Sequence, residues 1–143
     1  VTGPIGPAGS GATGVAGPTG PTGPAFTFEE VIGFGVISSV TASNGIKGYK
    51  SLGYTANALS WRVVSTMTGS CDIDVRKTTY SNFPGSFSSI VGGDAPKLIS
   101  QNKRENAGIT AWAQIGVNDI LEFSLTGASG INNVNLFIKV QKV

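Results

Sequence analysis

Apolar and polar residues alternate with a period of two over most of the chain after residue 25. The alternation is clearest in segments 58–67, 70–79, 119–126 and 133–142. A period of two places successive side chains on opposite faces of a strand that has one buried face. Turn residues separate these segments, and none keeps the apolar spacing of an amphipathic helix. The predicted strands are 28–38, 47–55, 58–67, 70–79, 86–91, 97–104, 108–116, 119–126 and 133–142.

The pattern predicts an all-β fold for residues 26–143. Eight or nine antiparallel strands arranged in two sheets favour a jelly-roll-like β-sandwich, although the pattern does not give the strand order. Trp61 and Trp112 lie in predicted strands with alternating apolar neighbours. We expect both rings to pack in the core or at a subunit interface. The alternative is an exposed platform on which sugar rings stack.

Residues 1–25 follow a period of three. Glycine occupies every third position, with one residue missing at Gly9-Ser10-Gly11, and each proline in this segment directly follows a glycine. A collagen triple helix requires this pattern because only glycine fits at the axis where three polyproline-II chains meet. A flexible linker has no reason to keep such a phase. The predicted axis glycines are Gly3, Gly6, Gly9, Gly11, Gly14, Gly17, Gly20 and Gly23.

The repeat predicts a homotrimer, with a collagen-like stalk at 1–25 and a head at 26–143. Only five uninterrupted triplets adjoin the head. So short a repeat is marginal alone, and we expect the head to hold three stalk chains in register. The chain starts within the repeat and without Met, so we expect a C-terminal fragment of a longer protein. The missing N-terminal part would contact other proteins.

The composition excludes several classes of function. The ten Lys and Arg are scattered and the net charge is only +2, which argues against a nucleic-acid partner. No apolar run is long enough for membrane insertion. With no His and only Cys71, neither a Cys/His zinc site nor a His-dependent catalytic triad exists. Asp72 and Asp74 are read as a solvated sheet face; calcium binding involving Asp94 or Asp119 lacks a dense acidic loop. We therefore expect no enzyme activity, cofactor or metal.

Three polar stretches are candidate receptor-contact loops, at 78–89, 100–106 and 128–133. The first mixes aromatic rings with Ser and Asn, a composition suited to recognition because rings stack and amides adapt their hydrogen bonds. The alternative is that all three are ordinary surface loops. The candidate contact residues are Tyr80, Asn82, Phe83, Phe87, Asn102, Asn132 and Asn133.

Residues 50–143 resemble the C-terminal modules of collagen-like tail-fibre proteins of tailed bacteriophages. The matching elements are the W-x-V strand at 61–63, G-S-x-D-I-D-V-R-K at 69–77, the Trp112 strand, N-D-x-L-E-F at 118–123 and the final L-F-I-K-V strand. A collagen-like stalk before a β-sandwich also resembles complement-like and tumour-necrosis-factor-like heads and spore-surface glycoproteins. The phage resemblance implies a trimeric appendage on the virion and carries no ligand or catalytic residue.

We therefore expect a non-enzymatic phage fibre tip, located on the virion and facing outward. Its partners would be itself, other virion proteins and a glycan or protein of the bacterial surface. Three weak sites acting together would gain avidity. The alternative is a structural domain that only trimerises and registers the fibre, on a virion or on a spore surface.

Overall fold

The computed structural model describes residues 27–36 and 42–143. The predicted stalk at 1–25, with its eight axis glycines, lies outside the described residues. Seven strands are found in the described part, and all pair antiparallel. They are β1 (Glu29–Val36), β2 (Gly45–Ser51), β3 (Ala56–Thr79), β4 (Ser88–Ser89), β5 (Lys97–Asn106), β6 (Asp119–Ser129) and β7 (Val134–Lys142).

The strands belong to one curled sheet, in which β1, β7, β3, β6 and β2 are hydrogen-bonded neighbours in that order. Strands β4 and β5 lie off this path, and each pairs with β3. The long strand β3 runs through both ends of this sheet. Its residues 56–64 pair with β7, and its residues 70–79 pair with β6. We call the part built on 56–64, with β1, β7 and the end of β5, the first layer. The part built on 70–79, with β2, β6, β4 and the start of β5, is the second layer.

The two layers are joined at a bend that we call the crease, centred on Gly69. A Cβ added at Gly69 would lie 2.8 Å from the Gly130 carbonyl carbon and still closer to the Ser129 carbonyl oxygen. Gly130 and Ser100 both have positive φ, of 70° and 49°. The pairing of β3 with β5 and β6 also shifts register around Gly69. Only a residue without a side chain allows the backbones to approach so closely at this point.

At the opposite end of the molecule, which we call the open end, the strand ends of the two layers meet. Residues 52–55 link β2 of the second layer to β3 of the first. Backbone hydrogen bonds of 2.8–2.9 Å hold this end: Asn118 donates to Leu52, Lys142 to Phe28 and Val143 to Thr55, and Ala56 and Ile115 donate to each other. The residues just before β1 and those at the end of β7 therefore both lie at the open end.

The core lies between the inner faces of the two layers. Phe34 of the first layer stacks on Phe123 of the second, with ring centroids 4.9 Å apart and planes 15° apart. Val63, Ile73 and other alternating residues of β3 fill the space beside them. Cys71 is a buried free thiol, and burial raises its pKa. A thiol held in this way is a packing residue and a poor nucleophile.

The predicted all-β, antiparallel fold is confirmed for the described residues, and the layers are consistent with a β-sandwich-like arrangement. Within those residues there is no α-helix, only 3-10 turns at Tyr80–Asn82 and Gly92–Asp94. No helix of this part of the chain is long and apolar enough to cross a membrane.

Four of the predicted strands were wrong in detail. Residues 58–67 and 70–79 form one strand, because Gly69 bends β3 at the crease instead of turning the chain. The predicted strand 86–91 is reduced to Ser88–Ser89. The predicted strand 108–116 is irregular apart from a single bridge between Ile115 and Ala56. Side-chain and loop acceptors take several of its backbone N–H groups, as described below.

Candidate functional site

The segment that follows β3 folds back over the outer face of the second layer. It begins with the 3-10 turn Tyr80–Asn82, in which the Phe83 N–H donates to the Tyr80 carbonyl at 3.3 Å. A Cβ at Gly85 would lie 2.5 Å from the Asn82 carbonyl oxygen, so the return of the chain needs glycine. The segment is then anchored by the Ser89 hydroxyl, which donates to an Asp74 carboxylate oxygen at 2.6 Å.

Three rings meet on this face and form what we call the aromatic cluster: Tyr49, Phe83 and Phe87. Their centroids lie 5.4–6.2 Å apart, and two of the three pairs are edge-to-face. This spacing is the preferred range for aromatic pairs. Tyr49 is 48 % exposed and Phe83 is 43 % exposed. The cluster therefore presents apolar ring surface and a phenol hydroxyl to solvent.

Strand register places the cluster where it is. Tyr49 on β2 is paired with Glu122 on β6, Glu122 with Arg76 on β3, and Arg76 with Ser89 on β4. Side chains in such a lateral row stand side by side on one face. The row therefore brings a ring of β2 next to the segment that returns over β3 and β4.

Arg76 fixes the position of Phe87. Its Nη1 donates to Glu122 Oε1 at 3.0 Å, and its Nη2 donates to the Phe87 carbonyl at 3.2 Å. The guanidinium also lies 5.8 Å from the centre of the Phe87 ring, within cation–π range. Glu122 is nearly fully buried, so its charge needs this partner. The ion pair supports the cluster from below, and the rings remain accessible above it.

Tyr80 lies at the open end of the second layer and is the most exposed large apolar residue of the described chain, at 75 %. With Ser51, Asn118 and Ile120 it lines a shallow depression of about 390 Å³. Asn82 is exposed in the same turn. The segment that follows β3 holds four of the candidate residues, Tyr80, Asn82, Phe83 and Phe87.

The remaining candidate residues lie elsewhere. Asn102 lies in strand β5, as the predicted strand 97–104 had it and against the predicted loop 100–106. The polar and basic residues of β5 suit an edge strand exposed to solvent. Asn132 and Asn133 lie at the crease, between β6 and β7. There the Ser65 hydroxyl donates to the Asn132 carbonyl at 2.7 Å, and Thr66 bonds both asparagine side chains. These asparagines hold the crease together and are separate from the aromatic cluster.

The two tryptophans meet at Asp94. Both indole N–H groups donate to its backbone carbonyl, from Trp61 at 2.8 Å and from Trp112 at 3.2 Å. Trp61 is buried and Trp112 is partly buried, which leaves Trp61 no face for a sugar to stack on. Trp112 was predicted on a strand and lies in the irregular segment 107–118.

The Asp94 side chain explains why that segment is not a strand. Its Oδ2 accepts hydrogen bonds from the N–H groups of Thr110 and Ala111, both at 3.0 Å. These two hydrogen bonds hold the pKa of the Asp94 carboxyl below its ordinary value of 3.8, and the bond from Thr110 has the largest effect. The Ala113 N–H donates to the Ile90 carbonyl at 2.9 Å. Because these acceptors take the N–H groups of residues 110, 111 and 113, only Ile109 and Ile115 bond to β3, and no continuous ladder forms.

The carboxylates are dispersed over the molecule. Asp74 bonds Ser89, Asp94 bonds the 110–111 backbone, and Asp119 pairs with Lys77 at 3.1 Å. Within residues 27–36 and 42–143, no three His, Cys, Asp or Glu side chains come together in a group that could hold a metal ion. The arrangement with the clearest binding chemistry is the aromatic cluster.

Sequence reasoning named Phe83 and Phe87 and missed Tyr49, Arg76 and Glu122. One signal was available for Arg76 and Glu122. They carry opposite charges in strands of alternating pattern, and such residues pair when the strands are neighbours. Tyr49 gave no such signal. The chain matches no protein-family model, no curated protein and no solved structure.

Proposed function

We propose that this chain forms a non-enzymatic, homotrimeric, jelly-roll-like fibre head on a collagen-like stalk, and that the head attaches a tailed-bacteriophage particle to glycans of the bacterial surface. The observation that carries the binding function is the aromatic cluster of Tyr49, Phe83 and Phe87. Its rings are exposed, closely spaced and backed by a fixed Arg76–Glu122 pair.

Exposed rings on a rigid support suit carbohydrate. The C–H groups of a sugar ring pack on an aromatic face, and neighbouring hydroxyls find hydrogen-bond partners in the Tyr49 hydroxyl and the Asn82 amide. The rings lose little conformational freedom on binding because they already pack against one another. Tyr80, next to the cluster in sequence, extends the apolar surface toward the open end.

The trimer and the stalk are supported by the Gly-X-Y phase of residues 1–25. Three copies would present three clusters, and a weak interaction at each would add up to firm attachment. Virion location is supported only by the resemblance of residues 50–143 to phage fibre modules.

Binding is tested by applying the fluorescently labelled 143-residue chain to an array of bacterial lipopolysaccharides, capsular polysaccharides and teichoic acids. We expect Phe83→Ala and Tyr49→Ala each to weaken binding about tenfold or more, as for buried aromatic anchors of other interfaces. Val117→Ala is the matched control, because Val117 is 55 % exposed in the irregular segment. Equal binding by all three variants would remove the cluster from the site.

The second candidate function is structural trimerisation and registration of the fibre. A separate observation favours it: the outer face of the first layer carries an uncovered apolar patch, described below. A wild-type trimer that binds no glycan on the array would favour this function over attachment. Release of reducing ends from any of the polysaccharides would contradict the non-enzymatic proposal.

A further inference from the structure

The outer face of the first layer carries an uncovered apolar patch. We define the apolar patch as Val31 on β1, Phe137 on β7 and Val64 on β3, which are 60 %, 40 % and 37 % exposed. They line a groove of about 440 Å³ together with Ser60, Arg62 and Lys139. Gly33 is paired with Phe137 and places no side chain beside it. The three apolar side chains are diagonal neighbours across β1, β7 and β3, and Lys139, Arg62 and Asn135 stand beside them in the same lateral rows.

The charges that stand beside the apolar residues of the patch are already paired within the chain. Lys139 pairs with Glu29, and Arg62 pairs with Glu105 at 2.9 Å. A surface with its charges paired in this way can approach an identical surface without strong like-charge repulsion. The corresponding face of the second layer differs, because the returning segment of Phe83 and Phe87 covers part of it.

The chain itself indicates what covers the patch. The Gly-X-Y repeat ends at Ala25, six residues before Val31. Six residues reach at most about 20 Å. Three chains of a collagen helix share one axis, so the three copies of Val31 must lie within about 20 Å of the end of that axis. An apolar face held so close to its own copies is placed to contact them.

We infer that the apolar patch is the homotypic interface of the head, where Val31, Val64 and Phe137 of each copy pack against the neighbouring copy. The inference rests on the proposed trimer and adds to it the face that forms the contact. It leaves the aromatic clusters on the outside, since they lie on the opposite layer of each copy.

The test uses single cysteines as reporters of burial in the assembled protein. Val31→Cys probes the patch, and Ile46→Cys on β2 is the matched control, because the two residues are 60 % and 54 % exposed in the single chain. Native Cys71 is 1 % exposed and serves as the slow internal reference. Each full-length variant is kept reduced, its mass is measured by light scattering, and its reaction with a maleimide is followed by mass spectrometry.

We expect trimers in which the thiol introduced by Val31→Cys reacts at least about tenfold more slowly than the control thiol, as for a site exposed only on transient opening. Phe137→Cys should be protected to a similar degree. A wild-type trimer in which Val31→Cys reacts as fast as Ile46→Cys would overturn the interface and leave the trimer standing. A wild-type monomer would overturn the proposed trimer itself. If the thiol introduced by Val31→Cys were protected in a monomer, the chain's own N-terminal segment would be what covers the patch, and our inference would be wrong.

Discussion

Gly69 at the crease is the position where the smallest chemical change should have the largest effect on stability. An added methyl group would lie 2.8 Å from the Gly130 carbonyl carbon, 2.6 Å from Ile131 Cγ2 and closer still to the Ser129 carbonyl oxygen. Two of these neighbours are backbone atoms of the opposing ladder, so no side-chain rotation relieves the contact. Gly69→Ala must separate β3 from the β6–β7 turn, and all the strands that bend at the crease respond.

Overpacking a tight site costs about 1–3 kcal/mol, and we expect the upper end because backbone has to move. For a domain of this size that loss lowers Tm by roughly 10 °C. The control is Gly48→Ala on β2, since a Cβ there meets nothing within 4 Å. Because alanine gives the unfolded chain less conformational entropy than glycine, Gly48→Ala should leave the free energy of unfolding unchanged or raise it by up to about 1 kcal/mol.

The assay is thermal and urea unfolding of both variants and the wild type at one protein concentration, because association would make Tm depend on concentration. Gly69→Ala should melt well below the wild type and Gly48→Ala at or above it. If Gly69→Ala melted within about 2 °C of the wild type, the close backbone approach at the crease would not be what limits residue 69.

Two further predictions concern the head. Because the pKa of Asp94 is lowered in the folded chain, its stabilising effect is present above pH 3.8 and is lost as pH falls through the folded value. Asp94→Asn should therefore lower Tm at neutral pH and flatten the decline of Tm below about pH 4; an unchanged acid profile would contradict this. Phe123→Ala removes the ring stacked on Phe34 and should cost about 3–5 kcal/mol in urea unfolding, whereas Tyr80→Ala should stay within about 0.5 kcal/mol. Similar losses for the two would place Phe123 outside the core.

The strands with clear alternation were predictable because burial of one face dictates their pattern. Trp61, Val63, Ile73 and Leu136 point inward as a period of two requires. The same rule failed for 108–116, where Ile109, Ala111, Ala113 and Ile115 occupy every second position just as regularly. There the acceptors of Asp94 and Ile90 take the N–H groups that a ladder needs, and those acceptors lie 16 to 23 residues away in sequence. Periodicity reports which side chains are buried and not how backbone groups are bonded.

The crease shows a similar limit. Thr68-Gly69 indicated a break between two strands, whereas the structure has a bend within the single strand β3, because glycine signals a turn and a close approach equally well. Whether Gly69 makes a turn or a close approach depends on Ser129 and Gly130, about 60 residues away, and on the pairing register between β3 and β6. Tyr49 was missed for the same reason. It joins Phe83 and Phe87 only because β2, β6 and β3 are adjacent in one register, which no local pattern specifies.

The two exposed features of the head lie on opposite outer faces, and this placement relates the proposals to one another. The apolar patch belongs to the first layer, whose strand β1 follows the stalk sequence, while the aromatic cluster belongs to the second layer. Packing through the first layer would turn the second layer of every copy outward, so that three clusters point away from the axis and can contact one polymeric glycan together. Packing through the second layer would bury the rings and leave Val31, Val64 and Phe137 in water beside the stalk. Under the proposed function, packing through the first layer would therefore leave the aromatic clusters free to bind glycan on a head carried by a collagen-like stalk.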